Sequence, residues 1–381
     1  MPGPLTGVRI VEFAGIGPGP FCGMMMADHG AEVIRLGRIR AELGIGADPS
    51  KDFLNRSRKA LNIDLKTAGG RELSRRLCKR ADGLIEGYRP GVMERLGLGP
   101  EVLLEENPKL VYGRMTGWGQ NGPYAKMAGH DINYIALSGA LHACGRAGEK
   151  PTPPMNLVGD FGGGGMMLAF GMLAAILHAR STGVGQVIDC AMTEGSAVLM
   201  TMIYSMRAEG SWTDRRGANI VDSGAHFYDS YETADGKFIS VGSVEAQFYR
   251  ELLERIGLMH DPELTEQLNA DAWPRQKERL THQFRTKTRD EWCRILEGSD
   301  CCFAPVLSLE EAADHQHNVA RSAFVDVSGV RQPAPAPHYS HTPTSRPTPM
   351  ASGSEVTEQI LADLGYSPIE VDRLRSNGTI D

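Results

Sequence analysis

The chain has 381 residues, which is enough for one large domain or for two. Hydrophobic residues make up 41% of the chain and charged residues 23%, as in ordinary water-soluble globular proteins. The formal net charge of -7 argues against a nucleic-acid partner held by general basicity.

A strand, a helix and a second strand open the chain. They are predicted at Val8 to Phe13, Phe21 to His29 and Glu32 to Leu36. Glycines in the first turn are typical of dinucleotide sites, but Pro18 and Pro20 lack the N–H groups that would hold a pyrophosphate. Arg38 follows the second strand where a nicotinamide enzyme would carry a carboxylate, so this position favours a phosphate. A solvated surface charge is the alternative for Arg38.

Helices and strands continue to alternate. The predicted helices are Arg71 to Arg80 and Val92 to Leu96, and the predicted strands are Gly83 to Glu86 and Leu110 to Met115. This alternation predicts an α/β fold with a parallel sheet that binds ligands at the carboxyl ends of its strands. The basic residues that would collect there are Arg38, Lys66, Arg89 and Arg95. They favour a small phosphorylated ligand, with a solvated positive patch as the alternative.

The stretch from Gly129 to Gly165 carries two proton-transfer groups. His130 precedes a helical run that Asp131 can cap, and histidine titrates near neutrality, although a structural histidine is the alternative. Asp160 precedes four glycines, where a ligand can approach closely or where a flexible turn lets the next helix pack. A proline-rich loop separates the two groups, so we expect them to reach one pocket from separate elements.

An apolar region follows. We predict a helix at Met166 to Arg180, a strand at Gly185 to Cys190 and a helix at Met192 to Arg207. The longest apolar segment, Met166 to Leu177, is too short to span a bilayer, which predicts no membrane insertion. Methionines in this region can line a pocket for varied apolar tails, with core packing as the alternative.

The pattern of predicted elements changes after residue 225. We predict a hairpin at Tyr228 to Val241, helices at Gln247 to Ile256 and Asp290 to Gly298, a strand at Cys302 to Leu307 and a C-terminal helix at Glu355 to Gly365. Residues 328–353 are rich in Pro, Ser and Thr and should be extended. The predicted division is a large domain at 1–200 and 328–381, a linker at 201–225 and a small α+β domain at 226–325.

Several functional classes find no support in the sequence. No HExxH, P-loop, GxSxG or zinc spacing occurs, so we expect no metal site and no separate cofactor. The seven cysteines form no CxxC pair, and the N-terminus lacks the features of a signal peptide. We therefore expect a cytoplasmic protein with reduced thiols.

Seven motifs together make the chain similar to the α-methylacyl-CoA racemases of the family III CoA-transferase superfamily. They are Ala14-Gly-Ile-Gly-Pro-Gly-Pro20, Ile63-Asp-Leu-Lys66, Glu86-Gly-Tyr-Arg-Pro-Gly91, Thr116-Gly-Trp-Gly-Gln120, Gly129-His-Asp-Ile-Asn-Tyr134, Asn156-Leu-Val-Gly-Asp160 and Val241-Gly-Ser-Val-Glu245. The resemblance extends from Gly3 to about residue 350.

This resemblance implies a large Rossmann-like domain, a smaller α+β domain and an interlocked homodimer that takes an acyl-CoA as substrate. It implies that His130 and Asp160 are the catalytic bases and that Glu245 is a carboxylate paired with His130. The substrate-binding residues that it implies are Arg38, Ile63, Asp64, Leu65, Lys66, Gly87, Tyr88, Arg89, Arg95, Gly129, Asp131, Ile132, Asn133, Tyr134 and Asn156.

The implied reaction inverts the α-carbon of a 2-methylacyl-CoA by proton transfer through an enolate, in fatty acid metabolism. Helix-start N–H groups near Asp131 are candidate donors to the enolate oxygen. The main alternative is a CoA-transferase in which Asp160 attacks the thioester, and a non-catalytic CoA-binding protein is a further one. His130 and Glu245 favour the racemase, because a transferase has no need of a histidine–carboxylate base pair. The sequence does not specify the acyl group.

Overall fold

The computed structural model describes residues 3–39, 48 and 50–381 and forms two compact units. The first unit comprises Met1–Ser138, Met155–Leu199 and His317–Asp381, and the second comprises Gly139–Pro154 and Met200–Gln316. Within the described residues, both units are therefore built from separated stretches of the chain.

A six-stranded parallel sheet lies at the centre of the first unit. Its strands are β1 (Arg9–Phe13), β2 (Glu32–Gly37), β3 (Lys59–Asn62), β4 (Gly83–Glu86), β5 (Val111–Thr116) and β6 (Gln186–Ala191). Their order is β3-β2-β1-β4-β5-β6, and all five neighbouring pairs are parallel. The predicted α/β fold with a parallel sheet is confirmed, and the strand order is the Rossmann order.

Helices cover both faces of this sheet. The helices of the first unit are α1 (Pro18–Asp28), α2 (Ala68–Lys79), α3 (Val92–Arg95), α4 (Pro100–Glu106), α5 (Asp131–Leu137), α7 (Met167–Thr182), α8 (Met192–Leu199), α14 (Gln316–Ala320), α15 (Ser354–Asp363) and α16 (Pro368–Ser376), with α14 beginning at the last residue of the second unit. A short 3-10 helix lies at Phe53–Asn55, and a π-helix, Leu157–Met166, leads directly into α7. The short strands β10 (Phe324–Val327) and β11 (Val330–Pro333) pair antiparallel.

Alternating side chains of the strands feed two separate cores. Ile10 belongs to the core that α1 and α7 complete, whereas Val11 belongs to the core that α2, α15 and α16 complete. Successive residues of a strand point to opposite faces, so a buried parallel strand is apolar throughout. This explains why a stretch rich in β-branched residues predicted β1.

A buried ion pair supports α1 from below. Glu12 on β1 and Arg58 are both fully buried, and Arg58 donates to the Glu12 carboxylate, to Asn55 Oδ1 at 3.0 Å and to the carbonyl of Pro20 in α1. Burial raises the pKa of Glu12, and the charge of Arg58 opposes that rise. The pair therefore fixes the first turn of α1 to the sheet.

The second unit contains a three-stranded antiparallel sheet. Its strands are β7 (Tyr228–Glu232), β8 (Phe238–Gly242) and β9 (Phe303–Val306), in the order β7-β8-β9. Its helices are α6 (Ala140–Ala143), α9 (Thr201–Ala208), α10 (Ala246–Arg255), α11 (Trp273–Phe284), α12 (Arg289–Leu296) and α13 (Leu309–Asp314), with a 3-10 helix at Pro262–Leu264. The predicted hairpin is confirmed, and its aromatic core includes Phe227, Phe284 and Trp292.

One helix prediction was wrong. The single helix predicted from Met192 to Arg207 is two helices, α8 and α9, which meet at Met200. The apolar segment is also longer than expected, because the π-helix and α7 form one run, Leu157–Thr182, of 26 residues, with a mean hydropathy of 1.5 in an 18-residue window. That run is long and apolar enough to cross a membrane, but 44% of its apolar 18-residue window is buried, and buried core helices meet the same criteria.

The predicted domain division stays a prediction. The compact units differ from it because residues 139–154 and 200–225 belong to the second unit and residues 317–327 to the first. Residues 328–353 contain β11, and the backbone of Ala351 accepts a hydrogen bond from Ala60 at the edge of the central sheet. The C-terminal stretch thus packs on the first unit.

Candidate active site

The candidate site lies at the carboxyl edge of the parallel sheet, where the strand order reverses between β1 and β4. Ligands of open α/β sheets bind in the crevice outside such a switch point. The loop after β1 reaches Gly17, whose φ of +66° suits glycine, and a Cβ there would lie 2.9 Å from Oδ2 of Asp160. Asp160 therefore lies beside the start of α1, at the predicted edge.

Asp160 occupies the first turn of the π-helix rather than the flexible turn that its four glycines left open. Its Oδ2 accepts a hydrogen bond from the side chain of Asn156 at 2.7 Å. Burial raises the pKa of Asp160 most strongly, the bond from Asn156 lowers it, the charge of Asp131 raises it, and the charge of His130 lowers it. The carboxyl group thus holds its proton more tightly than an ordinary aspartate does.

The glycines after Asp160 allow this helix to pack closely. A Cβ on Gly163 would lie 2.6 Å from the backbone N of Ser196 in α8, and one on Gly164 would lie 2.9 Å from Pro18 in α1. π-helical segments occur often at functional sites. Here the segment carries Asp160 between α1 and α8.

His130 is the residue that precedes α5. Its side chain is exposed, and its backbone N–H donates to Oδ1 of Asn133 at 3.0 Å. His130 and Asp160 belong to different elements. The charge of His130 lowers the pKa of Asp160, so the two side chains are close enough for their charges to interact. Their assignment as a pair of bases stays a prediction at this point.

Asp131 connects the two groups. Its side chain is buried, and its Oδ1 accepts the backbone N–H of Asp160 at 2.7 Å. A Cβ on Gly159 would lie 2.2 Å from that oxygen, so Gly159 makes room for the contact. The prediction that Asp131 caps α5 was wrong, because His130 is the cap residue and the Asp131 side chain instead reaches the other half of the site.

An aromatic cluster supports the segment before His130. The hydroxyl of Tyr134 donates to the carbonyl of Gly129, and the Tyr134 ring meets Trp118 edge-on at 4.7 Å. A Cβ on Gly117 would lie 2.0 Å from the Tyr134 ring, so the glycines of these motifs leave space for the aromatic rings. Burial raises the pKa of Tyr134, which keeps its hydroxyl a hydrogen-bond donor.

The predicted CoA-binding loops follow neighbouring strands of the same edge. Arg38 follows β2, Ile63 to Lys66 follow β3, and Gly87 to Arg89 follow β4. The exposed basic residues among the predicted contacts are Arg38, Lys66, Arg89 and Arg95. Burial raises the pKa of Tyr88 and the charge of Arg38 lowers it, so the loops after β2 and β4 lie within electrostatic range of each other.

Not every predicted contact presents its side chain. Ile63 is buried in the sheet core, and Leu65 packs against that core. Asp64 uses its carboxylate to accept the backbone N–H of Lys66 at 2.9 Å. From this stretch, Ile63 can therefore offer a ligand only its backbone atoms.

Glu245 lies in the second unit, where it precedes α10 and is exposed. Its pairing with His130 stays a prediction. Among the described residues, no group of three or more His, Cys, Asp or Glu side chains could hold a metal ion.

Comparisons with known proteins give the family. The model of CoA-transferase family III matches residues 5–353. Two similar relatives are the α-methylacyl-CoA racemases of Mus musculus, 46% identical, and Homo sapiens, 45% identical, each covering 99% of this chain and 97% of the relative. A CAIB/BAIF family protein from Brucella suis shares the fold, with a TM-score of 0.81, 24% identity, and coverage of 96% of this chain and 100% of that one. The chain belongs to CoA-transferase family III.

Proposed function

We propose that this chain is an α-methylacyl-CoA racemase, which inverts the α-carbon of 2-methylacyl-CoA thioesters. The proposal is supported by 45–46% identity to two racemases over nearly the whole chain. The structural observation that carries it is the 2.7 Å bond between the Asp160 N–H and the side chain of Asp131, the neighbour of His130. The bond ties together the two elements that bear the bases.

The reaction needs two bases in opposite protonation states. One base removes the α-proton, and the electron pair of the broken C–H bond moves onto the carbonyl oxygen to form an enolate. The other base then gives its proton to the opposite face of the α-carbon. A neutral His130 with a protonated Asp160 acts in one direction, and a charged His130 with an ionised Asp160 acts in the other.

The surroundings of Asp160 suit this exchange. Burial raises the pKa of its carboxyl group, which favours the protonated form that one direction requires. Glu245 would favour the charged form of His130 in the other direction. The backbone N–H of Asp131 is our candidate donor to the enolate oxygen, because the first N–H groups of a helix have no intrahelical partner.

A CoA-transferase that uses Asp160 as a nucleophile is the competing function. A carboxylate can attack a thioester or move a proton, so Asp160 alone does not separate the two. A nucleophile works best ionised, whereas burial opposes ionisation of Asp160. His130 and Glu245 also have a task only in the racemase.

One assay separates these functions. A single-enantiomer 2-methylacyl-CoA is incubated with the enzyme in heavy water, without an acceptor acid. We expect racemisation with uptake of deuterium at the α-carbon. Transfer of CoA to an added free acid without α-exchange would contradict the racemase and support the transferase.

Variants test the two bases. His130→Ala and Asp160→Ala should each abolish racemisation while binding of CoA persists. His260→Ala is the matched control, because His260 is an exposed histidine of the second unit, and it should keep wild-type activity. Racemisation at the wild-type rate in either base variant would exclude that residue as a base.

We also propose a homodimer, from the family resemblance and from one apolar face. Met166, Phe170, Leu173 and Leu177 recur at helical spacing along one side of the π-helix and α7, and all four are exposed. Phe170 and Leu177 expose 72% and 73% of their surface. A second copy of the chain would remove this stripe from water.

Charged substitutions in this apolar stripe test whether it forms the dimer interface. Phe170→Glu with Leu177→Glu should convert a dimer to a monomer in light scattering after size exclusion. Ile369→Glu is the matched control, because Ile369 is 81% exposed but lies alone on α16. A wild-type monomer would refute the dimer, and recovery of wild-type protein with vesicles in flotation would favour a membrane contact instead.

We infer a cytoplasmic location from the cysteines. All seven are free thiols in the structure, as a reducing compartment would keep them. Fluorescence microscopy of a tagged chain checks this inference, and exclusive localisation in an organelle would contradict it.

A further inference from the structure

The π-helix that carries Asp160 has its cap on another helix. The first four N–H groups of a helix have no partner inside it. Asp160 is the fourth residue of Leu157–Met166, and the N–H of Phe161 is the first to bond back, to the carbonyl of Asn156 at 3.1 Å. The N–H of Asp160 is instead satisfied by the Asp131 carboxylate at 2.7 Å.

The residue in the usual capping position does something else. Asn156 precedes the π-helix, but its side chain donates to the Asp160 carboxylate at 2.7 Å and caps no backbone N–H. The cap therefore has to come from 29 residues earlier in the chain. A carboxylate accepting a backbone N–H makes a charge-assisted bond, which is stronger than a neutral one.

We infer that the Asp131 side chain is a positioning residue that holds Asp160 at a fixed place relative to His130. Its backbone continues directly from His130, and its buried carboxylate fixes the backbone of Asp160, so one residue sets the spacing of the two groups. This inference rests on the proposed racemase function. Gly159 is also needed for this arrangement, since a Cβ there would displace the Asp131 oxygen.

The second oxygen of Asp131 adds an electrostatic effect. Oδ2 is buried and makes no hydrogen bond with the described residues. The charged or titratable side chains that act on Asp160 are Asp131 and His130, with Tyr134 also close enough to interact. The Asp131 charge opposes ionisation of Asp160, in the same direction as burial. Asp131 thus has a role in proton transfer that a neutral cap would lack.

Two substitutions separate the bond from the charge. In Asp131→Ala the N–H of Asp160 loses its acceptor, so kcat should fall about 10- to 100-fold, the scale of an unsatisfied buried N–H, while KM changes less than about twofold. In Asp131→Asn the amide oxygen keeps the bond but the charge is gone. This variant should keep most of kcat, and the limb of the pH profile that reports Asp160 should move to lower pH.

Hydrogen exchange gives a readout that does not depend on activity. Asp131→Ala and Gly159→Ala should both accelerate amide exchange across residues 157–166. Asp235→Ala is the matched control, because Asp235 also accepts the N–H of a helix-start residue, Arg289, at 3.1 Å, but in the second unit. It should leave exchange at 157–166 and kcat unchanged.

The outcomes distinguish this inference from the proposed function. Unchanged exchange in Asp131→Ala, or an equal loss of CoA affinity and kcat, would overturn the positioning role. An unmoved pH limb in Asp131→Asn would overturn the electrostatic effect. A wild-type chain that does not exchange the α-hydrogen of the substrate would refute the racemase. Backbone amide exchange at residues 157–166 would then still decide whether Asp131 holds the Asp160 segment.

Discussion

Gly163 and Gly171 lie in one continuous helical run but should respond to alanine in opposite ways. A Cβ on Gly163 would lie 2.6 Å from the Ser196 backbone N and 2.9 Å from the Gly195 carbonyl carbon. A Cβ on Gly171 would meet only Ile188, at 3.5 and 3.7 Å, which is ordinary van der Waals contact. The first substitution therefore forces backbone apart, and the second fills available space.

Comparing Gly163→Ala with Gly171→Ala isolates the free-energy cost of placing a Cβ against α8. Alanine in a helix interior stabilises by about 0.5–1 kcal/mol relative to glycine, and both variants share that gain. Overpacking against atoms that cannot yield costs about 1–3 kcal/mol. Gly171→Ala should therefore raise the free energy of unfolding by about 0.5–1 kcal/mol. Gly163→Ala should lie below Gly171→Ala by about 1–3 kcal/mol.

Urea unfolding at one fixed protein concentration measures this difference, because association would make stability depend on concentration. Racemisation is measured in parallel. Gly163→Ala should lose activity, since its helix carries Asp160, whereas Gly171→Ala should keep it. Equal stabilities of the two variants would refute the argument that α8 requires glycine at position 163.

Three further predictions concern charged residues. Burial raises the pKa of Asp160, so wild-type stability is lost as pH rises through that pKa. The free energy of unfolding of Asp160→Asn should therefore exceed that of wild type by more at about pH 8 than at about pH 3. An equal difference at both pH values would contradict this prediction. Arg58→Met leaves the Glu12 carboxylate buried without a partner and should cost about 3–5 kcal/mol in urea unfolding. Adding Glu12→Leu should recover most of that loss, and a cost below about 1 kcal/mol would show that the pair is not essential. Arg38→Gln should raise KM for acyl-CoA about 3- to 10-fold at unchanged kcat, and a fall in kcat alone would remove Arg38 from the binding site.

The inner strands β1, β2, β4 and β5 of the central sheet were predictable because they are largely buried. Strand β4, Gly83–Glu86, has the predicted bounds, and β1 and β2 differ from theirs by one residue at one end. Parallel alternation then placed the basic loops on one edge without any knowledge of long-range contacts.

The π-helix was not predictable in the same way. Four consecutive glycines have poor helix propensity, so local reasoning favours a turn there. The segment is nevertheless helical, because without side chains it can pack closely against other helices, as Gly163 does against Ser196 and Gly164 against Pro18. Both contacts join residues far apart in the sequence, and the cap from Asp131 is of the same kind. Tertiary packing here overrides propensity.

The two C-terminal helices affect how the chain can fold during synthesis. Ile360 and Leu361 of α15 and Val371 of α16 complete the core on one face of the sheet, yet they are made after the entire second unit. A ribosome therefore holds a chain in which α2 and α4 already lie on this face of the sheet, but the part that α15 and α16 cover stays exposed until almost the last residue has emerged, while the second unit already has all of its residues. Stalled chains ending near residue 350 should accordingly be cleaved by protease in the first unit, at sites that the finished protein protects.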